Sequence, residues 1–311
     1  MRIVSLSPAA TAIVRALGLE DELVGLSPDD ADGSSDAAVV AASTREPSIV
    51  DERARAGPTV HARAALRAGT GAAGIVPDAA AIASLDPDLI LLQAGCPACA
   101  VRFPSVERLR TALGPGPSVV SLESVSLEGA FNAIATVGAM TEAEDEAIGL
   151  VEMHRERLAS IGERVLRRRD AGRTPARVVA LEWLDPPMTS GHWLPSLIRD
   201  AGGWDLLGRD GGRPVAVEWE SIRDVDPEVI LLAQHGLSLD AVVREWRATS
   251  RPAFVDELRA VRDGSVVALD AAGAFGLAGP GLVDGVAALA EILDPEGFAG
   301  VGAPGDWAPV A

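Results

Sequence analysis

Two similar α/β lobes joined by one long helix are predicted for this chain by three observations: a strand motif that occurs twice, two further segments that repeat in the same order, and a charged helical stretch between the copies. Asp86-Pro87-Asp88-Leu89-Ile90-Leu91-Leu92 recurs 140 residues later as Asp226-Pro227-Glu228-Val229-Ile230-Leu231-Leu232. Arg2-Ile3-Val4-Ser5-Leu6 is answered by Arg177-Val178-Val179-Ala180-Leu181, and Ser118-Val119-Val120-Ser121-Leu122-Glu123 by Ser265-Val266-Val267-Ala268-Leu269-Asp270. Apolar runs without alternation, separated by helical patterns, mark parallel strands covered on both faces. Two facing lobes make the cleft between them the expected binding site.

The first lobe, residues 1–140, opens with a strand from Ile3 to Leu6. Ser7-Pro8 then start a helix through Thr11, Ile13, Val14 and Leu17 that ends at Gly18. A short strand ends near Val24-Gly25. Residues 27–74 are rich in Asp, Ser, Ala and Gly and predict rim loops. Their acids Asp29, Asp30, Asp32 and Asp36 form a solvated loop, because Pro28 stands where a calcium loop needs its first ligand. Strands at Leu89–Leu92 and Val119–Leu122 follow, and a helix through Leu127, Phe131 and Ile134 closes the lobe. In the linker, residues 141–172, Thr141-Glu142-Ala143-Glu144 reads as a capping box. Apolar residues then recur at helical spacing from Ile148 to Val165, and Arg167-Arg168-Arg169 suit the negative end of the helix dipole. From Glu142 to Asp170 such a helix spans roughly 40 Å, enough for a single strut. The second lobe, residues 173–311, begins with the strand Val178–Leu181 and repeats the βα order. Its Gly-, Pro- and Ala-rich tail after Pro295 predicts an extended cover or a frayed end.

Composition narrows the function. A net charge of −18 and a pI near 4.6 repel a phosphate backbone, so nucleic acid is not expected as a partner. All 27 basic residues are Arg, which removes lysine Schiff bases, pyridoxal phosphate attachment and the phosphate-loop lysine. No window supplies the roughly 18–20 apolar residues of a membrane span, so membrane insertion is not expected. Met1-Arg2 leads directly into a strand without a leader pattern. The expected location is therefore cytoplasmic as written, and periplasmic or extracellular if a leader has been removed. Two cysteines are too few for a disulfide framework.

The stretch Glu182–Pro195 carries two Trp, one His, one Asp and three Pro just past a strand, the place where ligands bind in open α/β sheets. Trp183 and Trp193 either line a pocket or anchor the loop on the core. Gln93 and the Cys96-Pro97-Ala98-Cys99 pair follow the equivalent strand of the first lobe. By the 140-residue offset Gln234 and His235 stand opposite, with His192 on the adjacent loop. Cys96, Cys99, His192 and His235 are thus candidate ligands for zinc or iron, against the alternative of two buried thiols filling a tight turn. Glu218-Trp219-Glu220 reads as the acidic start of a helix, with Trp219 a candidate cleft residue. His61 and His154 read as ordinary surface residues.

At the aromatic loop the chain resembles a family. Trp183-x-Asp185-Pro186-Pro187-x-x-x-Gly191-His192-Trp193-x-Pro195 with Ala201-Gly202-Gly203, the opening Ile3–Thr11, the Asp-Pro-Asp-Leu-Ile strand and Gly279-Pro280-Gly281-Leu282-Val283-Asp284-Gly285 are similar to the vitamin B12 (cobalamin)-binding proteins. These are the substrate-binding components of cobalamin ABC importers. The Cys96–Cys99 segment resembles that of non-exported, divergent members. The resemblance covers nearly the whole chain. It implies the helical-backbone, class III periplasmic-binding-protein fold: two Rossmann-like lobes joined by one long backbone helix. It also implies a non-catalytic protein that holds cobalamin, another corrinoid or a related flat metal complex between the lobes, with an ABC permease as partner if exported. The expected ligand contacts are Ser7, Pro8, Gln93, Cys96, Trp183, Asp185, His192, Trp193, Trp219, Gln234, His235 and Phe275. The competing class is a cytoplasmic enzyme or a metal or redox protein that reuses the scaffold with Cys96 and Cys99 in the cleft.

Overall fold

The computed structural model describes residues 1–27, 30, 36–43, 75–93 and 103–310. Of these, residues 1–43, 75–124 and 128–151 fall in a first compact unit, and residues 125–127 and 152–310 in a second. In chain order the first unit forms β1 (Ile3–Ser5), α1 (Pro8–Ala16), β2 (Leu23–Leu26), β3 (Ala38–Val39), β4 (Ala41–Ser43), β5 (Ile75–Pro77), α2 (Ala79–Ser84), β6 (Leu89–Leu92), α3 (Phe103–Leu113), β7 (Ser118–Ser121), α4 (Leu127–Met140) and the start of α5 (Glu144–Asp170). Its sheet is parallel throughout, in the order β3-β2-β1-β6-β7. Pro8 opens α1 where its missing N–H costs nothing. All four residues of β6 are buried, as its unbroken apolar run requires.

The second unit continues with β8 (Ala176–Leu184), β9 (Pro187–Thr189), α6 (Leu194–Asp200), β10 (Gly203–Asp205), α7 (Trp219–Val225), β11 (Val229–Leu232), α8 (Leu239–Ala248), α9 (Arg259–Arg262), β12 (Val266–Leu269), α10 (Leu282–Leu293), α11 (Pro295–Phe298) and β13 (Trp307–Pro309). The order is β10-β8-β11-β12-β13, with β13 antiparallel to β12 and β9 folded back antiparallel on β8.

The sequence repeat is a repeat of pairing. Strands β2-β1-β6-β7 and β10-β8-β11-β12 stand in the same order, and the registers of β1-β6-β7 and β8-β11-β12 coincide. Ile3 faces Leu89 as Val178 faces Val229, and Ile90 faces Val119 as Ile230 faces Val266. A polar clamp at the strands' amino ends is duplicated too. The Arg2 backbone N–H donates to Asp88 Oδ2 at 2.7 Å while its Nε donates to the Leu85 carbonyl at 2.7 Å. The Arg177 N–H donates to Glu228 Oε2 at 3.0 Å while its guanidinium donates to the Val225 carbonyl. Asp86 and Asp226 both sit in the left-handed region, at φ 45° and 40°. The repeated acid-proline-acid motif is therefore the turn that brings each strand into its clamp.

Four expectations are corrected. The long helix begins at Glu144, not Glu142, and Glu142 has φ 59°. Thr141 does not cap it, because its hydroxyl donates back to Val137 O of α4 at 2.7 Å. The tail is neither loose nor merely a cover, since residues 307–309 complete the sheet as β13. His154 is 6 % exposed, not a surface residue: it sits on the inward stripe of α5 near Asp284 and Arg157, and burial lowers its pKa. Residues 152–170 of α5 are tied down through arginines spaced along one face. Arg157 pairs with Asp284, Arg164 lies 4.9 Å over the Phe298 ring, and Arg168 grips Asp294 through two bonds of 2.6 and 2.8 Å. A planar guanidinium makes that two-pronged grip and an ammonium does not. No helix among the described residues is long and apolar enough to cross a membrane.

The corner between α4 and α5 depends on Gly138. A Cβ there would run into Ala147 Cβ and stand 2.8 Å from the Ala143 carbonyl. Gly138→Ala is expected to destabilise the protein by about 1–3 kcal/mol through overpacking, read as a lowered urea midpoint at unchanged slope.

Candidate functional site

The site is built where β8 overshoots its sheet. Residues 178–181 pair with β11, but the strand runs on to Leu184, turns at Asp185-Pro186, and returns as β9 with Trp183 opposite Met188. The returning chain is fastened to the strand it left. Ser190 N donates to Ala180 O at 3.0 Å and Gly191 N to Glu182 Oε1 at 2.8 Å. Gly191 passes so close to residues 212–214 that a Cβ would lie 2.7 Å from Gly212 O and from the Pro214 ring. His192 is gripped at both backbone groups, its N–H by Gly212 O at 2.6 Å and its carbonyl by Gly211 N at 2.8 Å. That grip holds a non-glycine residue at φ 50°, an unfavourable conformation that persists only where the surroundings impose it.

The imidazole so placed is half-buried beside Trp193, with ring centroids 5.7 Å apart. Burial, and secondarily the Arg213 guanidinium, lower its pKa below the usual 6.5. At neutral pH it is an uncharged ring with a nitrogen lone pair to offer. Trp193 itself is fixed: its indole N–H donates to Phe275 O at 2.9 Å and its carbonyl accepts from Ser196 Oγ at 2.7 Å. Behind this loop the Asp205 carboxylate accepts from Ser190 Oγ and from the Leu207 and Gly208 backbone N–H groups at 3.2 and 3.0 Å. Burial raises its pKa against those bonds.

Two more loops join at the carboxyl ends of β11 and β12. Gly236 N donates to Ala271 O at 3.0 Å, tying the 233–238 turn to the loop that carries Phe275. Gln234, two residues past the end of β11, is 0 % exposed. Neither its amide nitrogen nor its oxygen has a hydrogen-bond partner. A polar group shut away in this state costs about 1–3 kcal/mol, and Gln234 bears it at both ends of its carboxamide, where Arg251 and Asp306 each leave a single atom unpaired.

Of the residues expected from sequence, the structure brings together Trp193 and Phe275 by a hydrogen bond and His192 by its ring contact with Trp193, with Gln234 and His235 on the adjoining turn. Trp183 and Asp185 lie half-buried on the hairpin beside them. Trp219 is placed in the interior, 8 % exposed and edge-on to Trp246 at 6.4 Å, with Arg251 stacked over the other indole at 4.0 Å. In the first unit Ser7 is buried ahead of Pro8, beside a Thr11 hydroxyl that donates to Ser5 Oγ at 2.8 Å. Gln93 is half-buried after β6. Cys96, Cys99 and His61 lie outside the described residues. Among the described residues no group of three or more His, Cys, Asp or Glu side chains converges as a metal site. Sequence reading missed Arg213 and the 209–215 loop that holds His192, since no local pattern links residues twenty apart. It missed the Ser190–Asp205 staple for the same reason.

The chain matches the sequence pattern of the periplasmic binding protein family over residues 3–272. No curated protein matches it in sequence. A periplasmic heme-binding protein from Pseudomonas aeruginosa is similar in structure over 94% of this chain and 92% of its own, at 19% identity and a TM-score of 0.68. The periplasmic vitamin B12-binding protein BtuF of Vibrio cholerae is similar over 94% and 96%, at 21% identity and a TM-score of 0.64. A possible iron-binding periplasmic solute-binding protein from Staphylococcus epidermidis is similar over 94% and 97%, at 17% identity and a TM-score of 0.63. These likenesses show the class III periplasmic-binding-protein fold, with its parallel sheets and long helix. The pattern spans all but the first two and the last 39 residues of the 311-residue chain, and the chain belongs to the periplasmic binding protein family.

Proposed function

We propose that this chain is a non-catalytic substrate-binding component of an ABC importer. Its substrate in this reading is a flat metal complex of the tetrapyrrole type, a corrinoid or heme, presented to a partner permease. The observation that carries the reading is His192: a half-buried, uncharged imidazole locked by its backbone next to an immobilised indole. A macrocycle brings four donors to its metal and asks the protein for an axial side chain, for which a neutral histidine is suited. Trp193 and Phe275, 9 % and 4 % exposed, pack behind the histidine and hold it in place for a ligand on its open side. The structurally similar proteins that carry heme and vitamin B12 in their names support the same ligand class.

Spectrophotometric titration of the purified protein with hydroxocobalamin and with hemin tests the reading. A saturable band shift is expected with at least one of them, and His192→Ala is expected to weaken binding about 10- to 100-fold and abolish the shift due to nitrogen ligation. No shift with either compound would sink the proposal.

The lowered pKa sets the pH dependence. Proton and metal compete for the same nitrogen, so an ordinary histidine loses its metal as pH falls through about 6.5. Here affinity is expected to hold through 6.5 and to decline only at lower pH. Arg213→Gln removes the secondary cause of the shift and leaves burial in place. The midpoint of the decline is then expected to move up in pH while staying below 6.5, as followed by the His192 ring resonance in NMR. A His192 midpoint at or above 6.5 in the unliganded protein would contradict the site as described.

A further inference from the structure

We infer that Gln234 is the selectivity residue of this site, reading a primary amide on the rim of the ligand, so that an amide-rimmed complex is preferred over a carboxylate-rimmed one. The inference rests on the tetrapyrrole reading above and narrows its substrate class. Its basis is the state of one side chain: Gln234 is completely buried at the carboxyl end of the central strand β11, with both ends of its carboxamide unpaired.

A carboxamide offers a donor pair and an acceptor. A group that satisfies both ends must itself donate and accept, and another primary amide does so through two opposed N–H···O bonds. A carboxylate only accepts. It would leave Gln234 Oε1 unpaired, and it would enter a site where Gln234 contributes no compensating charge. Corrinoids carry acetamide and propionamide arms around the ring, whereas heme carries two propionates. Arg213, the guanidinium next to His192, could draw a carboxylate, but it is exposed, and an ion pair in water adds little. The unpaired amide therefore outweighs the arginine as a determinant of rim chemistry.

Access follows from the loop that carries it. Gln234 is the second residue of the 233–238 turn, whose tip at Gly236 is exposed and whose tie to the neighbouring loop is the Gly236 N–H to Ala271 O bond. The inference requires this turn to shift so that the carboxamide reaches the ligand, the hydrogen bonds formed there offsetting the shift.

The test uses three probes on the wild-type protein: hydroxocobalamin, the same corrinoid with its rim amides hydrolysed to carboxylates, and hemin. Hydroxocobalamin is expected to bind about 10-fold or more tightly than either of the others. Gln234→Met, close in shape and without the amide, is expected to lose that preference about 10-fold while its melting temperature stays equal or rises, because an unpaired buried group has been removed. If hydroxocobalamin and its hydrolysed form bind the wild type equally, the inference is overturned while the tetrapyrrole reading stands. If Gln234→Met lowers the melting temperature and weakens all three probes alike, the amide is a structural group, held by an internal water, and the inference is again overturned. If none of the three binds, the reading beneath it has failed and both fall. The wild-type comparison decides the matter even if the variant does not fold.

Discussion

Register in both sheets depends on one arrangement of polar groups, the arginine clamp at the amino end of the central strand pair. Parallel strands of three or four apolar residues have little in their side chains to prevent a slip, because Leu, Ile and Val replace one another at little cost. In each unit an arginine at the start of the first strand donates its backbone N–H to an acid on the neighbouring strand and its guanidinium to a carbonyl in the turn before that strand. A slip by one residue would break both bonds and turn every side chain to the opposite face. With the register set, the carboxyl ends of the strands fall at fixed heights, and the loops that carry His192, Gln234 and Phe275 start from known positions.

The clamp also explains why so much of the fold was legible in the sequence. The duplicated Asp-Pro-acid turns, the apolar runs and the charged helix are local patterns, and a repeat shows them twice. What escaped were matters of partnership. Thr141 has the composition of a cap, yet the carbonyl of Val137 offered its hydroxyl a nearer acceptor, so the helix began two residues late. The tail after Pro295 has the composition of a loop, but the sheet had an open edge beside β12, and backbone hydrogen bonds do not depend on composition.

The site shows the same division. Trp193 and His192 could be singled out by residue type. The conformation that gives His192 its role could not, because it is imposed by Gly211 and Gly212, twenty residues away in the chain. Nor could the sequence distinguish Trp193, anchored among the loops on Phe275, from Trp219, packed in the interior on Trp246. Gln234 was placed by the repeat, but that its amide would be left without a partner is a property of the folded interior alone.

The closing strand β13 has a bearing on how copies of this molecule behave towards one another. A β-sheet left with a long open margin is a template for other chains, and a chain that is 48% hydrophobic has much to lose by it. In the second unit both margins are blunted. On one side β13 runs antiparallel and carries Pro309, which has no N–H to offer a newcomer. On the other, β10 is three residues long, so that even with Trp204 61 % exposed there is too little strand to template on. The sheet is finished by its own tail, which leaves a second copy little open strand to add to in this unit.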